Sequence, residues 1–151
     1  MKNQSLLSLP PLALYVHIPW CVKKCPYCDF NSHTSSNIPE TAYTNRLIED
    51  LRHQLPWLAG RKLHSIFFGG GTPSLFSAAS IERIITAAEQ LVGFAPNIEI
   101  TLEANPGTFE QDKFTDFFKT GANRLSIGIQ SFNPGHLKAL GRVHSSDEAM
   151  R

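Results

Sequence analysis

The sequence predicts an α/β fold with parallel strands, and three observations carry that expectation. Strand-like apolar runs alternate with segments of helical periodicity in the order βαβαβαβα. The strands have one apolar and one polar or small face. Each chemically unusual segment falls after a strand or at its end: the cysteines after the first, "GGGTPS" after the second, "EANP" at the end of the third and "QSF" at the end of the fourth.

"LALYVHI" (12–18) reads as a buried strand with Leu14, Val16 and Ile18 opposite Tyr15 and His17. A loop rich in Pro and Cys follows to about Ser36. Asn37 and Pro39 then open a helix in which Leu47, Ile48, Leu51, Leu55 and Leu58 recur at helical spacing. "HSIFFGG" (64–70) is the second strand, and Ser77 caps a helix marked by Ile81, Ile84, Ile85, Ala88, Leu91 and Val92. In the third strand, "NIEITLEAN" (97–105), Ile98, Ile100 and Leu102 oppose Glu99, Thr101 and Glu103. Thr108 and Gln111 predict a capping box for a helix carrying Phe114, Phe117 and Phe118, which Gly121 ends. The fourth strand, "RLSIGIQSF" (124–132), sets Leu125, Ile127 and Ile129 against Ser126, Gly128 and Gln130. Asn133, Pro134 and Gly141 punctuate a short helix or turn, and Ser145 to Glu148 predicts one more capping box.

An open sheet covered by helices on both sides needs apolar residues on both faces, so the polar face here fits a lumen that holds a ligand. In parallel α/β barrels the rim at the C-terminal strand ends is where sites are built. With 151 residues the chain is short for an eight-unit barrel, which takes about 250. Its 14 basic and 13 acidic side chains nearly cancel, which excludes nucleic-acid binding driven by bulk charge. The N-terminus, broken by Pro10 and Pro11, lacks the pattern of a secretion signal, and no stretch approaches the roughly 20 apolar residues of a membrane span. A cytoplasmic protein is expected, and in a reducing compartment three clustered thiols favour metal or redox chemistry over disulfides.

Those thiols lie in "HIPWCVKKCPYCDF" (17–30), and the chain has no other cysteine. Thiolates spaced C-x3-C-x2-C can converge on one inorganic cluster, and three ligands leave the fourth iron of a [4Fe-4S] cube without a protein donor. Zinc in a closed site requires a fourth donor, which here is His17 or His33; inert packing is the third reading. "GGGTPS" (69–74) offers main chain to a ligand, although by itself it reads more readily as a tight turn before a helix. It is not a phosphate loop, because no lysine follows the glycines.

Together these motifs resemble the radical S-adenosylmethionine (SAM) superfamily, whose fold is a partial (β/α)6 barrel with C-x3-C-x2-C after the first strand and a glycine-rich segment after the second. The resemblance implies that this chain is the N-terminal part of such a barrel, a single incomplete domain behind an extension of residues 1–11. It implies that Cys21, Cys25 and Cys28 hold a [4Fe-4S] cluster whose open iron takes the amino and carboxylate groups of SAM. One-electron reduction then yields methionine and a 5′-deoxyadenosyl radical. The wider phrases "LYVHIPWCVKKCPYCDFNSH", "FFGGGTPSL", "EANPGT", "RLSIGIQSF" and "LGRVH" are similar to oxygen-independent coproporphyrinogen III oxidases and the related HemW-type heme chaperones, over about residues 12–145. By that resemblance Tyr15 approaches the cofactor beside the cluster and Tyr27 presents its main chain to the adenine. Gly70, Gly71 and Thr72 meet the methionine end, Glu103 and Gln130 the ribose region, and Arg142 the carboxylate. His17 is expected to be a hydrogen-bond partner in the lumen, outside the site.

The oxidases carry a further cysteine two positions after the third ligand, where this chain has Phe30, and a longer N-terminal segment. Both departures point to the chaperone branch, in which heme is the cargo, passed to heme-accepting proteins, and the cluster needs an electron donor. No catalytic residue is assigned. The alternatives are decarboxylation of coproporphyrinogen III to protoporphyrinogen IX, another radical reaction such as methyl transfer, and a plain iron–sulfur electron carrier. Four strands do not complete a six-stranded barrel, so a fragment with an exposed sheet edge and poor solubility is expected.

Overall fold

The structure, a computed structural model, describes residues 9–150, apart from the side chains of residues 108–112. The expected Thr108–Gln111 capping box and most of the N-terminal extension lie outside the described residues. The elements are β1 (Leu12–Ile18), β2 (Trp20–Cys21), β3 (His33–Thr34), α1 (Glu40–Gln54), β4 (Leu63–Gly70), α2 (Ala78–Leu91), β5 (Phe94–Ala104), α3 (Thr108–Lys119), β6 (Arg124–Ile127), α4 (Pro134–Ala139) and α5 (Ser146–Ala149). Strands β1, β4, β5 and β6 form one parallel sheet in that order, while β2 and β3 pair separately.

Register explains the two faces. Val16, Phe68, Leu102 and Leu125 stand side by side across the sheet, and the next row is Tyr15, Phe67, Thr101 and Arg124. The first row belongs to the apolar side, where α2 packs against both α1 and α3. Ile18, Ile66, Phe68, Ile81, Ala88, Leu102 and Phe117 are completely buried there. Each large side chain among them gains roughly 1.5–3 kcal/mol from burial, enough to dictate which face the helices cover. The second row carries polar and aromatic groups and leaves Tyr15 exposed, as a lumen requires.

Local chemistry sets the helix ends as expected at several points. Ser77 caps α2 by accepting from the Ser80 amide, Asn133 caps α4 by accepting from Gly135 and His136, and Ser145 with Glu148 forms a complete capping box on α5. Gly121, at φ 103°, terminates α3.

Three boundaries differ from the sequence pattern. The first helix stops at Gln54 and a 3₁₀ turn holds Leu55–Trp57, because Pro56 has no amide hydrogen and its ring obstructs the α path. The third strand begins three residues early, at Phe94, with a register shift where Asn97 adopts φ 59°, a conformation asparagine tolerates better than most residues. The fourth ends at Ile127, and Gln130, at φ 74°, turns the chain away from strand geometry. Leu125 and Ile127, expected on a covered face, are 37% and 43% exposed. The cause is position: among the described residues β6 is the sheet edge and has a strand neighbour on one side only.

Candidate functional site

The cysteine loop is fixed at its root by Trp20. Its buried indole stacks on Phe76 at 5.7 Å and meets Tyr43 edge-on at 4.7 Å, which places Cys21 at the end of the sheet. The Trp20 carbonyl accepts from the Thr72 amide and the Pro19 carbonyl from the His33 amide, so both ends of the loop are tied down. Between them, the Cys28 amide donates to the Cys25 carbonyl in a turn, and Lys24 Nζ donates to the Ser32 carbonyl at 2.9 Å. Cys21, Cys25 and Cys28 are free, partly exposed thiols, and all three line one cleft of about 280 Å³. Among the described residues no three His, Cys, Asp or Glu groups converge on a position for a single ion.

The facing wall is the end of β4. A Cβ on Gly71 would lie 2.5 Å from the Trp20 carbonyl oxygen, and one on Gly70 would lie 2.7 Å from the His17 ring. Gly70 also has φ 117°, so both positions admit only glycine without rearrangement. Thr72 completes the turn, with its side chain buried. Glu103 reaches across from β5, and burial pushes its carboxyl pKa up, against the smaller opposing effect of a hydrogen bond from the Gly70 amide. A half-buried carboxylate beside exposed main chain can accept from hydroxyl or ammonium groups.

Arg142 closes the third side. Its Nη2 donates to Asn105 Oδ1 at 2.6 Å and to the Gly128 carbonyl at 2.5 Å, while Nη1 lies 3.4 Å from both Cys25 Sγ and Tyr27 Oη. Among the described residues its buried Nε has no partner. Gln130 lines the cleft from the turn after β6.

Seven of the eight expected cofactor contacts therefore share the cleft with the cysteines: Tyr27, Gly70, Gly71, Thr72, Glu103, Gln130 and Arg142. Tyr15 lies in an adjoining hollow with Phe67, bounded also by Phe30, Gly70 and Glu103. His17 is a hydrogen-bond relay. The Asn31 carbonyl can only accept, so the 2.8 Å contact puts the imidazole hydrogen on Nε2 and leaves Nδ1 to accept from Tyr15 Oη at 3.0 Å. Asn105, Lys23 and Ser126 also line the cleft and were not singled out from the sequence, although Asn105 lies within the strand-end segment "EANP".

The donor set suits a polynuclear iron–sulfur group. It supplies three thiols where a full set is four, an approachable main chain opposite them, and a cationic side chain with an unpartnered buried N–H.

The radical SAM superfamily model matches residues 15–151, which span the whole cleft. The heme chaperone HemW of Haemophilus influenzae is 56% identical over 147 residues, covering 94% of this chain and 38% of that protein. HemW of Escherichia coli is 48% identical, covering 97% and 39% respectively. The mitochondrial radical S-adenosyl methionine domain-containing protein 1 of Mus musculus is 41% identical, covering 92% and 31%. Among solved structures, the Escherichia coli coproporphyrinogen III oxidase HemN, a radical SAM enzyme, has a TM-score of 0.82 at 32% identity, over 92% of this chain and 32% of its own. The chain thus spans less than two fifths of the length of these relatives.

Proposed function

Because the chain belongs to the radical SAM superfamily, we propose that Cys21, Cys25 and Cys28 hold a [4Fe-4S] cluster with one open iron, that SAM binds beside it, and that the complete protein is a heme chaperone. The observation that carries this reading is the meeting of three thiols and the Gly70–Thr72 turn in one cleft. When bound, such a cluster supplies the electron that cleaves SAM.

The chain's own residues bind and orient. Gly70, Gly71 and Thr72 meet the methionine end of the cofactor, and the Thr72 amide, donating a hydrogen bond to the Trp20 carbonyl, holds that turn against the cysteine loop. Glu103 and Gln130 meet the ribose region, the carboxylate as an acceptor and the carboxamide as donor or acceptor. Arg142 offers Nη1, the guanidinium nitrogen that faces Cys25, to the carboxylate, a charge-assisted contact. Tyr15 borders the space from the adjoining hollow, and the Tyr27 main chain meets the adenine.

The chaperone reading is supported by relatives named heme chaperones at 48–56% identity and by Phe30, an apolar residue at the cleft where the oxidases have a further cysteine. Heme, heme-accepting proteins and an electron donor are the partners it calls for. Among the described residues no helix is long and apolar enough to cross a membrane. The oxidase reading stands second, favoured by the likeness to HemN. Anaerobic titration of the full-length protein with heme, alongside an assay of carbon dioxide release from coproporphyrinogen III, separates the two. Saturable heme binding without release is expected; release with turnover assigns the oxidase activity.

A further inference from the structure

One polar connection in the cleft runs through Asn105, just past the end of β5. Its Oδ1 accepts from Arg142 Nη2 at 2.6 Å and its Nδ2 donates to Thr72 Oγ1 at 3.2 Å. Arginine has only donors, so the carboxamide cannot be reversed without losing the shorter bond. Through these partners a single residue ties together all four strand-end segments. Thr72 belongs to the turn after β4 and binds the Trp20 carbonyl at the root of the cysteine loop, while Arg142 holds the Gly128 carbonyl after β6 and faces Cys25.

The two ends of the guanidinium are held unequally. Among the described residues Nη2 has two short bonds to oxygen, whereas Nη1 has only 3.4 Å contacts. A cation anchored through Nη2, with Nη1 free of any short bond, is preorganised for an incoming anion, because the entropy of fixing a long side chain is already lost. A surface arginine lacking such an anchor offers the same charge with less orientation.

We infer that Asn105 is a positioning residue for cofactor binding: it clamps Arg142 through Nη2 so that Nη1 faces the cysteine cleft. This rests on the proposed pairing of Arg142 with the SAM carboxylate. Asn105 itself touches no cofactor in this account; it acts through Arg142 and Thr72.

The test uses the full-length protein with its cluster reconstituted anaerobically. The EPR spectrum of the reduced cluster is followed as SAM is added, and iron and sulfide per chain are measured in parallel. Asn105→Ala is expected to keep wild-type iron and sulfide while raising the half-saturating SAM concentration about tenfold or more, the weight of one charge-assisted hydrogen bond. Asn105→Asp keeps an oxygen acceptor for Nη2 and is expected to restore most of the affinity. An unchanged half-saturation in Asn105→Ala overturns the inference, as does parallel loss of iron in both variants, which assigns Asn105 to the fold alone. A wild-type cluster that ignores SAM removes the parent reading and this inference with it, whereas a responsive wild type with an indifferent Asn105→Ala removes the inference only.

Discussion

At the residue scale, the cofactor role proposed for Glu103 is set against a cost in stability. Burial raises its pKa, so the folded chain holds its proton more tightly than the unfolded one. The linkage sign follows: this contribution is fully present below the ordinary carboxylate range and is lost as pH rises through the folded value. At neutral pH the ionised group is therefore a cost. Glu103→Gln is expected to raise the thermal midpoint at neutral pH, with the gain vanishing in acid, while weakening the SAM response of the cluster; a lower midpoint at neutral pH contradicts the assignment. The cysteines were legible because their meaning lies in a spacing of a few residues, and the turn glycines because absent side chains are visible in sequence. Asn105 was not, because its meaning lies in bonds to partners 33 and 37 positions away. Tyr15 lies on the polar face that strand alternation gives it, and the structure sets it in a separate hollow beside Phe67.

At the element scale, the β4 end is the wall against which the cysteine loop is built. Gly71→Ala drives a methyl group onto the Trp20 carbonyl, and backbone does not yield as a flexible side chain does. Overpacking of this kind costs about 1–3 kcal/mol. The variant is expected to lower the urea midpoint and reduce iron incorporation. Gly93→Ala makes the comparison: at φ +82° with open space around it, it strains the backbone but leaves the loop alone. Its urea midpoint should fall with iron incorporation unchanged, and equal iron loss in both variants contradicts a specific role for Gly71. The order of strands and helices was legible from periodicity, since burial of one face imposes it. The boundaries that moved depend on backbone events that periodicity does not encode: Pro56 breaking the first helix, Asn97 shifting a register, and Gln130 turning out of β6. The short β2–β3 pairing escaped for the same reason, as two residues per strand carry no pattern.

At the scale of the whole molecule, the sheet order leaves β1 and β6 as edges among the described residues, and β6 exposes Leu125 and Ile127 beside unpaired backbone. Such edges template association. The 151-residue chain alone is expected to self-associate with rising concentration in sedimentation velocity; a monodisperse, cooperatively melting monomer contradicts this. The polar or small face on β1, β5 and β6 and the gathering of unusual segments at one rim were readable in the pattern, and the structure brings those segments into one cleft. The account stands on that cleft holding an open-iron cluster. The measurement that tests it most directly is EPR of the anaerobically reconstituted, dithionite-reduced full-length protein with and without SAM. A [4Fe-4S] signal that shifts on addition is predicted, with Cys21→Ala, Cys25→Ala and Cys28→Ala each losing the cluster. A stable cluster whose spectrum SAM leaves unchanged contradicts it.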